Sequence, residues 1–233
     1  MTNGRVLGLV TARGGSKRLP GKNLLDFGGR PLIAHTIDAA RSCPAIDRVV
    51  LSTDDPSIAE VSRRAGADVP FLRPESLAGD SVSSMDVVFH ALDWLAEHEN
   101  EMPWAVALLQ PTSPLRTEKH LTNAIAQLKA QSRPASVVGV TAARPASWLH
   151  AVDAKARLSP HLKGVNVPPL AAGDRLVIPN GAIYVATVEH LRAHGGFVAE
   201  GSEAFEMKAI ESVDIDTADD FELALACFRS ASR

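Results

Sequence analysis

Short apolar runs alternate with stretches of helical periodicity along most of this chain. The apolar runs predict buried strands at Val6–Val10, Arg48–Thr53, Trp104–Leu109, Ser136–Val140, Gly181–Ala186 and Phe205–Ile210. Apolar residues three or four apart predict helices at Pro31–Ser42, between Asp55 and Gly66, around Met85 to Leu95, at Glu118–Lys129 and at Ala218–Phe228. This order favours a three-layer α/β fold, with helices on both faces of a mostly parallel sheet.

Length and composition fit a single globular domain spanning residues 1–233. The 233 residues are 45% apolar, and no run approaches the roughly 18 apolar residues that a membrane span needs. A net charge of −3 gives no reason to expect a nucleic-acid partner. Because Met1 to Arg5 lead directly into a predicted strand, we expect no signal peptide. Cys43 and Cys227 favour packing roles in a reducing, cytoplasmic compartment.

The loop after the first strand, residues 12–23, carries the strongest chemical signal. It contains four cationic side chains and three glycines. Glycine lets backbone N–H groups approach a ligand closely, and cations neutralise an arriving polyphosphate. The alternative is a solvated basic loop. The spacing does not fit a P-loop, since five residues separate Gly15 from Gly21 and Asn23 follows Lys22, and the dinucleotide-binding glycine pattern is absent.

The loop sequence ARGGSKRLPGKN resembles the first motif of the cytidylyltransferases that activate sialic acids and related nonulosonic acids. Further segments resemble that family in the same order: Val50–Asp55, Phe71–Asp80, Leu108–Arg116, Pro179–Tyr184 and Val213–Thr217. The resemblance implies a Rossmann-like fold of the nucleotide-diphospho-sugar transferase type. It also implies transfer of CMP from CTP to a nine-carbon 2-keto-3-deoxy sugar acid, with release of pyrophosphate.

Phosphate chemistry makes Arg13 and Lys22 the principal expected ligands of the triphosphate, because charge-assisted hydrogen bonds are the strong ones. Ser16 and backbone N–H groups, including those of Ala12 and Gly14, would complete the cradle. Asn23 offers both a donor and an acceptor to the nucleotide, or is a turn residue.

Two further residues are expected on the nucleotide. By resemblance, Arg73 faces it, although a surface arginine is the simpler alternative. Ser84 is a candidate contact to the ribose or base, and a helix N-cap at Ser83 or Ser84 explains the same residues equally well.

Asp214 and Asp216 form a candidate metal site. Alternation along a strand end would place both carboxylates on one side, where they suit Mg²⁺, or another divalent cation such as Mn²⁺, together with substrate phosphates. The same segment also predicts a capping box from Thr217 to Asp220 at the start of the last helix. The two interpretations are compatible, and we expect Asp216 to act in catalysis with Arg13 and Lys22.

Gln110 ends the predicted central strand where relatives that activate the eight-carbon acid Kdo usually carry GD-x-P. This difference favours the nine-carbon branch, so Gln110, Asn180 and Tyr184 are assigned to the sugar acid, with a core role as the alternative for Tyr184. Arg144 and Arg175 are both candidates for its carboxylate. Another sugar nucleotidyltransferase of the Kdo type and a non-catalytic nucleotide-binding module remain as alternative functions.

Residues 141–178 are rich in proline and weakly periodic. The length of this segment suggests a functional excursion, although a disordered insert has the same composition. In the resembling family this region is a dimerisation arm that reaches over the partner's active site, which implies a homodimer here. His190 and His194 lie four apart on a predicted helix, but Leu191 replaces the glutamate of a zinc motif, so a solvated face is expected.

Overall fold

The computed structural model describes residues 4–133, 135–162 and 170–231. Ten strands occur in this part of the chain: β1 (Val6–Thr11), β2 (Asp26–Phe27), β3 (Arg30–Pro31), β4 (Arg48–Ser52), β5 (Ala105–Leu109), β6 (Ser136–Ala142), β7 (His150–Val152), β8 (Leu158–Pro160), β9 (Val177–Thr187) and β10 (Glu203–Glu206). The six α-helices are α1 (Leu32–Arg41), α2 (Pro56–Arg64), α3 (Ser84–Glu99), α4 (Glu118–Lys129), α5 (Val188–His194) and α6 (Ala218–Ala231).

Six strands form one sheet in the order β10-β6-β9-β5-β1-β4. All run parallel except β9, which pairs antiparallel with β5 and β6. The side chains of β5 are buried on both faces, and so are those of β1 up to Val10. Continuous apolar runs suit such two-sided burial, because both faces are covered. The mostly parallel sheet that the sequence predicts is therefore confirmed.

Helices cover both faces of this sheet. Buried side chains of α1, α2 and α4 form a core with one face, among them Ile37, Ile58 and Ile125. Side chains of α3 and α5, including Leu92 and Leu191, form a second core with the other face. The structure is thus the three-layer α/β fold expected from the sequence. No helix in the described ranges is both long and apolar enough to cross a membrane.

Local capping signals explain where several helices begin. Asp55 caps α2, since its carboxylate accepts hydrogen bonds from the Ser57 and Ile58 N–H groups, and Pro56 occupies the first helical position. Ser83, rather than Ser84, caps α3 through a capping box with Asp86. The Thr217–Asp220 capping box at the start of α6 is also present. The predicted caps of α2 and α6 are confirmed, and the choice left open at α3 is resolved.

Two sequence predictions are wrong. The last strand, predicted at Phe205–Ile210, is β10 (Glu203–Glu206), and Ala209–Glu211 instead forms a 3₁₀ turn, whose start is held by the Lys208 N–H donating to Glu211 Oε2 at 3.2 Å. His190 is buried rather than solvated, although His194 on the next turn is exposed. The reason is tertiary: α5 packs its Leu191 face into the core, and His190 is drawn in with it.

The excursion between β6 and β9 is shorter than residues 141–178. Thr141 and Ala142 pair with Ile178 and Val177, so the ends of that segment belong to the main sheet. Within it, β7 and β8 form a separate two-stranded hairpin whose residues are all exposed. Residues 163–169 of this predicted excursion, including Pro168 and Pro169, lie outside the described residues. We call residues 143–176 the arm.

Candidate active site

A cleft lies at the carboxyl ends of the neighbouring strands β1, β4 and β5, where parallel sheets generally bind ligands. Two cavities make up this cleft, and both are lined by Thr11, Ala12, Arg13 and Gln110. The first, called the loop cavity, is lined in addition by Ser16, Lys17, Arg18, Leu19, Lys22, Asn23, Pro111, Thr112 and Asp216. The second, called the Arg73 cavity, is lined in addition by Arg73, Leu77, Ala78, Gly79, Asp80, Val82, Ser83, Ser84 and Val87.

The glycine-bearing loop is fixed at both ends by polar contacts. The Gly14 N–H donates to Asp54 Oδ1 at 3.2 Å, and a Cβ at Gly14 would lie 2.6 Å from Asp55 Oδ2, so only glycine fits there without movement. Asn23 is buried, and its Nδ2 donates to the Arg13 carbonyl at 3.1 Å. Asn23 thus holds the loop in shape while lining the cavity.

Lys22 and Asp216 come from opposite ends of the chain and meet in the loop cavity. Lys22 Nζ donates to the Ile215 carbonyl at 2.6 Å and lies 3.4 Å from Asp216 Oδ1. Asp216 Oδ2 also pairs with Arg18 at 2.9 Å. The Lys22 side chain is only 12% exposed, whereas that of Arg18 is 68% exposed. One cation is therefore held in the wall of the cavity, and the other stands at its rim.

Arg13 and Lys17 share an acidic partner across the cleft. Asp80 accepts from Arg13 at 2.8 Å and from Lys17 at 2.5 Å. The Lys17 ammonium, and then Arg13, lower the pKa of the Asp80 carboxyl below its usual value. These pairs are largely exposed, so each contributes little to stability and can exchange for another anion.

Arg73 is buried in the wall of the second cavity. Its guanidinium pairs with Asp54 Oδ1 at 3.2 Å, and its main-chain N–H donates to the Thr53 carbonyl. Burial lowers the pKa of Arg73, and the Asp54 carboxylate opposes that change. The Arg73 Nε has no hydrogen-bond partner among the described residues. Arg73 is therefore not a surface arginine, and Asp54 links it to the Gly14 backbone on the other side of the cleft.

Asp214 lies beside the junction of the two cavities. Its Oδ2 and the Gln110 Oε1 are each 3.4 Å from the position of a Cβ at Gly181, which has a φ of 75° and so favours glycine. Asp214 is exposed overall and lines neither cavity, although neighbouring groups partly desolvate its carboxyl. Desolvation raises the pKa of its carboxyl, the Thr112 hydroxyl opposes that shift, and the nearby Asp216 charge adds to it. The segment is not the strand end that the sequence suggested, and of the two acids on either side of the buried Ile215 only Asp216 lines the loop cavity.

Asn180 and Tyr184 lie on β9 but line neither cavity. Asn180 is buried, with its Nδ2 donating to Ser212 Oγ at 2.9 Å and its Oδ1 accepting from the Ala182 N–H at 3.0 Å. Tyr184 is half-buried against Phe197, with ring centroids 5.7 Å apart. Burial first, and then the Asp214 charge, raise the pKa of the Tyr184 hydroxyl. Both residues thus have structural contacts, and Tyr184 also lies within the field of Asp214.

Sequence reasoning gave no site role to Asp54, Asp80 or Thr112. Asp54 follows β4 almost directly, so its position at the shared carboxyl edge was a usable signal. Thr112 and Asp80 lie in loops, and only the tertiary structure brings them to the cleft. Arg144 and Arg175, the candidates for the sugar carboxylate, line neither cavity: Arg144 lies over the Trp148 ring and Arg175 pairs with Glu206.

The acids near the junction fit a divalent cation that is shared with a phosphate ligand. Within residues 4–133, 135–162 and 170–231, no group of three or more His, Cys, Asp and Glu side chains gathers to hold a metal alone. Desolvation is the larger cause of the raised pKa of Asp214, and the negative charge of the nearby Asp216 adds to it, so the two carboxylates repel each other. Two hard oxygen donors with this mutual repulsion are the set that Mg²⁺ uses when phosphates supply its other ligands.

The cation-bearing loop after β1 and the carboxylate of Asp216 line the same cavity, an arrangement that suits a ligand carrying several phosphates. The sequence profile described as cytidylyltransferase matches residues 7–161. The chain therefore belongs to the cytidylyltransferase family and is an enzyme of that class, as the sequence resemblance implies.

Two relatives are similar over nearly the whole chain. The CMP-N,N'-diacetyllegionaminic acid synthase of Legionella pneumophila is 35% identical over 222 residues, which cover 94% of each chain. The N-acylneuraminate cytidylyltransferase of Escherichia coli is 32% identical over 233 residues, covering 98% of this chain and 53% of that protein.

Solved structures with the same fold are more distant in sequence. The CMP:2-keto-3-deoxy-manno-octonic acid synthetase complexed with CTP matches with a TM-score of 0.71 and 19% identity, over 97% of this chain and 99% of that one. The 4-diphosphocytidyl-2C-methyl-D-erythritol synthase of Anaerococcus prevotii matches with a TM-score of 0.64 and 12% identity, over 97% of each chain. At these identities the likeness supports the fold.

Proposed function

We propose that this enzyme transfers CMP from CTP to a nonulosonic, sialic-type sugar acid and releases pyrophosphate. The observation that carries the proposal is the meeting of Lys22 and Asp216 in the loop cavity, beside Arg13 and Gln110. The names of the two relatives similar over nearly the whole chain support the sugar class.

The chain's own residues would first offset the charge of the triphosphate. In this proposal Arg13, Lys22 and Ser16 bind the phosphates, with the backbone of Ala12 and Gly14 alongside. Lys17 and Arg18 would leave Asp80 and Asp216 for the incoming phosphates, because exposed ion pairs exchange at little cost. Arg73 and Ser84 would hold the nucleoside in the Arg73 cavity, and Asn23 would keep the loop in its binding shape.

The sugar acid would enter beside Gln110, with Tyr184 and Asn180 behind it on β9. Its anomeric hydroxyl oxygen attacks the α-phosphorus in line, forming one P–O bond while the bond from that phosphorus to the oxygen bridging to the β-phosphate breaks. Pyrophosphate carries away the electron pair, and the hydroxyl proton passes to solvent. Holding both reactants in this orientation supplies much of the acceleration of such reactions.

Asp214 and Asp216 are the residues that would hold Mg²⁺ or Mn²⁺. When bound, the ion neutralises phosphate charge and lowers the pKa of a coordinated hydroxyl. Lys22, held at 3.4 Å from Asp216, would keep that carboxylate oriented toward the cavity.

A homodimer belongs to the same proposal. The described part of the arm exposes six large apolar side chains, namely Trp148, Leu149, Val152, Leu158, Leu170 and Leu176. Such a patch is typical of a protein interface, and a second copy would cover it. Light scattering of the purified protein should give twice the chain mass, and the double variant Trp148→Ser, Leu158→Ser should shift it toward the monomer. A monomeric wild-type protein would contradict the proposed homodimer.

The decisive experiment incubates the protein with CTP, Mg²⁺ and, separately, sialic, legionaminic, pseudaminic and Kdo acids. Pyrophosphate release and mass spectrometry of the CMP-sugar are measured together. We expect product with at least one nine-carbon acid and none with Kdo. Product with Kdo alone would favour the alternative sugar class. CTP binding without turnover on any acid would favour a non-catalytic module and overturn the proposal.

A further inference from the structure

Arg116 is a buried cation that has no carboxylate partner among the described residues. It is 3% exposed, and no acidic side chain in those ranges pairs with it. Its guanidinium is instead surrounded by neutral acceptors: the Ala182 carbonyl at 2.9 Å, the Thr36 hydroxyl at 2.9 Å and the Gln110 carbonyl, which both terminal nitrogens approach at 3.4 Å. Arg116 therefore ties together the end of β5, strand β9 and helix α1.

Burying a cation without a carboxylate partner lowers the stability of the fold. Burial alone lowers the pKa of Arg116 to about 10, which means that the charged form is poorly solvated where it lies. Its Nε has no hydrogen-bond partner among the described residues. A well-packed apolar residue would avoid both costs. The function of Arg116 is therefore expected to lie in the hydrogen bonds that it does make.

Those contacts lie directly behind the junction of the two cavities. Gln110 lines both cavities, and its carbonyl accepts from Arg116. Ala182 follows Gly181, the glycine against which Gln110 and Asp214 are placed, and its own N–H is held by Asn180. The guanidinium thus fixes the end of β5 against β9 at the point where the Gln110 side chain leaves the sheet.

We propose that Arg116 is a positioning residue, which sets the Gln110 side chain in place for the sugar acid by holding the Gln110 carbonyl against β9. The inference rests on the proposed function, because it assigns Gln110 to the sugar. A positioning role also predicts different effects on the two substrates, whereas a purely structural role would affect the binding of both equally. Displacement of Gln110 should weaken binding of the sugar acid far more than binding of CTP. The expected CTP ligands Arg13, Lys22 and Arg73 form no hydrogen bond with Arg116.

The test compares steady-state kinetics of Arg116→Lys with the wild type. Lysine keeps a charge but cannot reach three acceptors from one planar group. We expect the KM for the sugar acid to rise about 10- to 100-fold, as for loss of charge-assisted hydrogen bonds, while the KM for CTP changes less than about threefold. Equal changes in both KM values, or no change in either, would overturn the proposal.

Two milder or matched variants keep the test informative if Arg116→Lys folds poorly. Thr36→Val removes one acceptor at nearly constant volume from a helix outside both cavities, and should raise the sugar-acid KM about threefold in the same direction. Arg48→Met removes another arginine with several partners, Asp68, Glu99 and Glu101, at the opposite edge of the sheet. It should lower the unfolding midpoint without separating the two KM values.

A double-variant cycle asks whether Arg116 acts through Gln110. In a Gln110→Ala background, Arg116→Lys should change the sugar-acid KM by less than about threefold, because the side chain that it positions is already gone. A full 10- to 100-fold effect in that background would overturn the proposal. If the wild type uses no sugar acid, the proposed function fails before this comparison is made, so the two failures are distinguishable.

Discussion

The two cavities that meet at Arg13 and Gln110 differ in how exposed most of their cations are. In the loop cavity Lys22 is held in the wall, but Lys17 and Arg18 have side chains 77% and 68% exposed, with Asp80 and Asp216 as their acidic partners. In the other cavity Arg73 has a side chain only 5% exposed and is fixed by Asp54.

This difference separates an adaptable half from a rigid half. Exposed ion pairs are worth at most about 1 kcal/mol, so Lys17 and Arg18 can turn toward an anion without a large loss. Breaking a buried pair costs several times as much, because it leaves an uncompensated charge in the protein. We therefore expect substitutions of Lys17 and Arg18 to affect catalysis with little change in stability, and substitutions at Arg73 to affect both.

The largest effect is expected from Asp216→Ala. Loss of this carboxylate removes one of the proposed metal ligands and the partner of Lys22 and Arg18, so turnover should fall by at least about 100- to 1000-fold. Circular dichroism and the unfolding midpoint should stay near those of the wild type, since the Thr217–Asp220 cap remains. Asp219→Ala, which removes an exposed acid in the first turn of the neighbouring helix α6, is the matched control. Unchanged turnover in Asp216→Ala would remove the metal assignment.

Lys22→Met should come next, with a loss of about 100-fold in kcat/KM for CTP. Lys22 is held in the cavity wall, where water cannot replace the ammonium as a phosphate ligand. Lys17→Met, in the same loop but exposed, should cost less than about tenfold. Pyrophosphate-release kinetics at several CTP concentrations measure both. If the two variants lose activity equally, burial does not distinguish the cations and the comparison between them fails.

Arg73→Lys tests the rigid half. Lysine cannot keep the pairing geometry with Asp54, so we expect the KM for CTP to rise about tenfold and the unfolding midpoint to fall. Thermal unfolding with and without CTP gives both quantities from one preparation. A changed KM with an unchanged midpoint would show that Arg73 belongs with the adaptable cations instead.

The smallest effect concerns the titration of Asp214. Its folded-state pKa is raised by desolvation and by Asp216, so in the metal-free protein this carboxyl should keep its proton to a higher pH than an ordinary aspartate. Carboxyl ¹³C chemical shifts followed against pH should show one such resonance, which Asp214→Asn removes. Asp216→Asn should shift it downward, because removal of a negative neighbour favours the charged form. An upward shift would contradict the stated cause.

Sequence patterns predicted the strands of the central sheet correctly, but predicted the elements at its periphery less accurately. Strands β1, β4 and β5 are mostly continuous apolar runs because helices cover them on both faces, so their positions follow from the location of those runs in the sequence. The prediction failed at Phe205–Ile210, where Met207 is buried as a strand residue would be, but a 3₁₀ turn at Ala209–Glu211, held by the Lys208 N–H donating to Glu211, redirects the chain. It failed at His190 because helical spacing does not show how deeply a short helix is packed.

For the candidate site, three local sequence features could be predicted without a structure: the cation-bearing loop, the acidic pair around Ile215 and the polar residue that follows β5. These are local patterns, which show the types of charge and ligand group that one segment of the chain can provide. Which of these groups meet follows from the tertiary structure, because Lys22 and Asp216 are 194 positions apart and are brought together as α6 packs against Phe27 and Leu32. The same holds for Arg116, whose neutral acceptors come from three separate elements that no spacing rule connects.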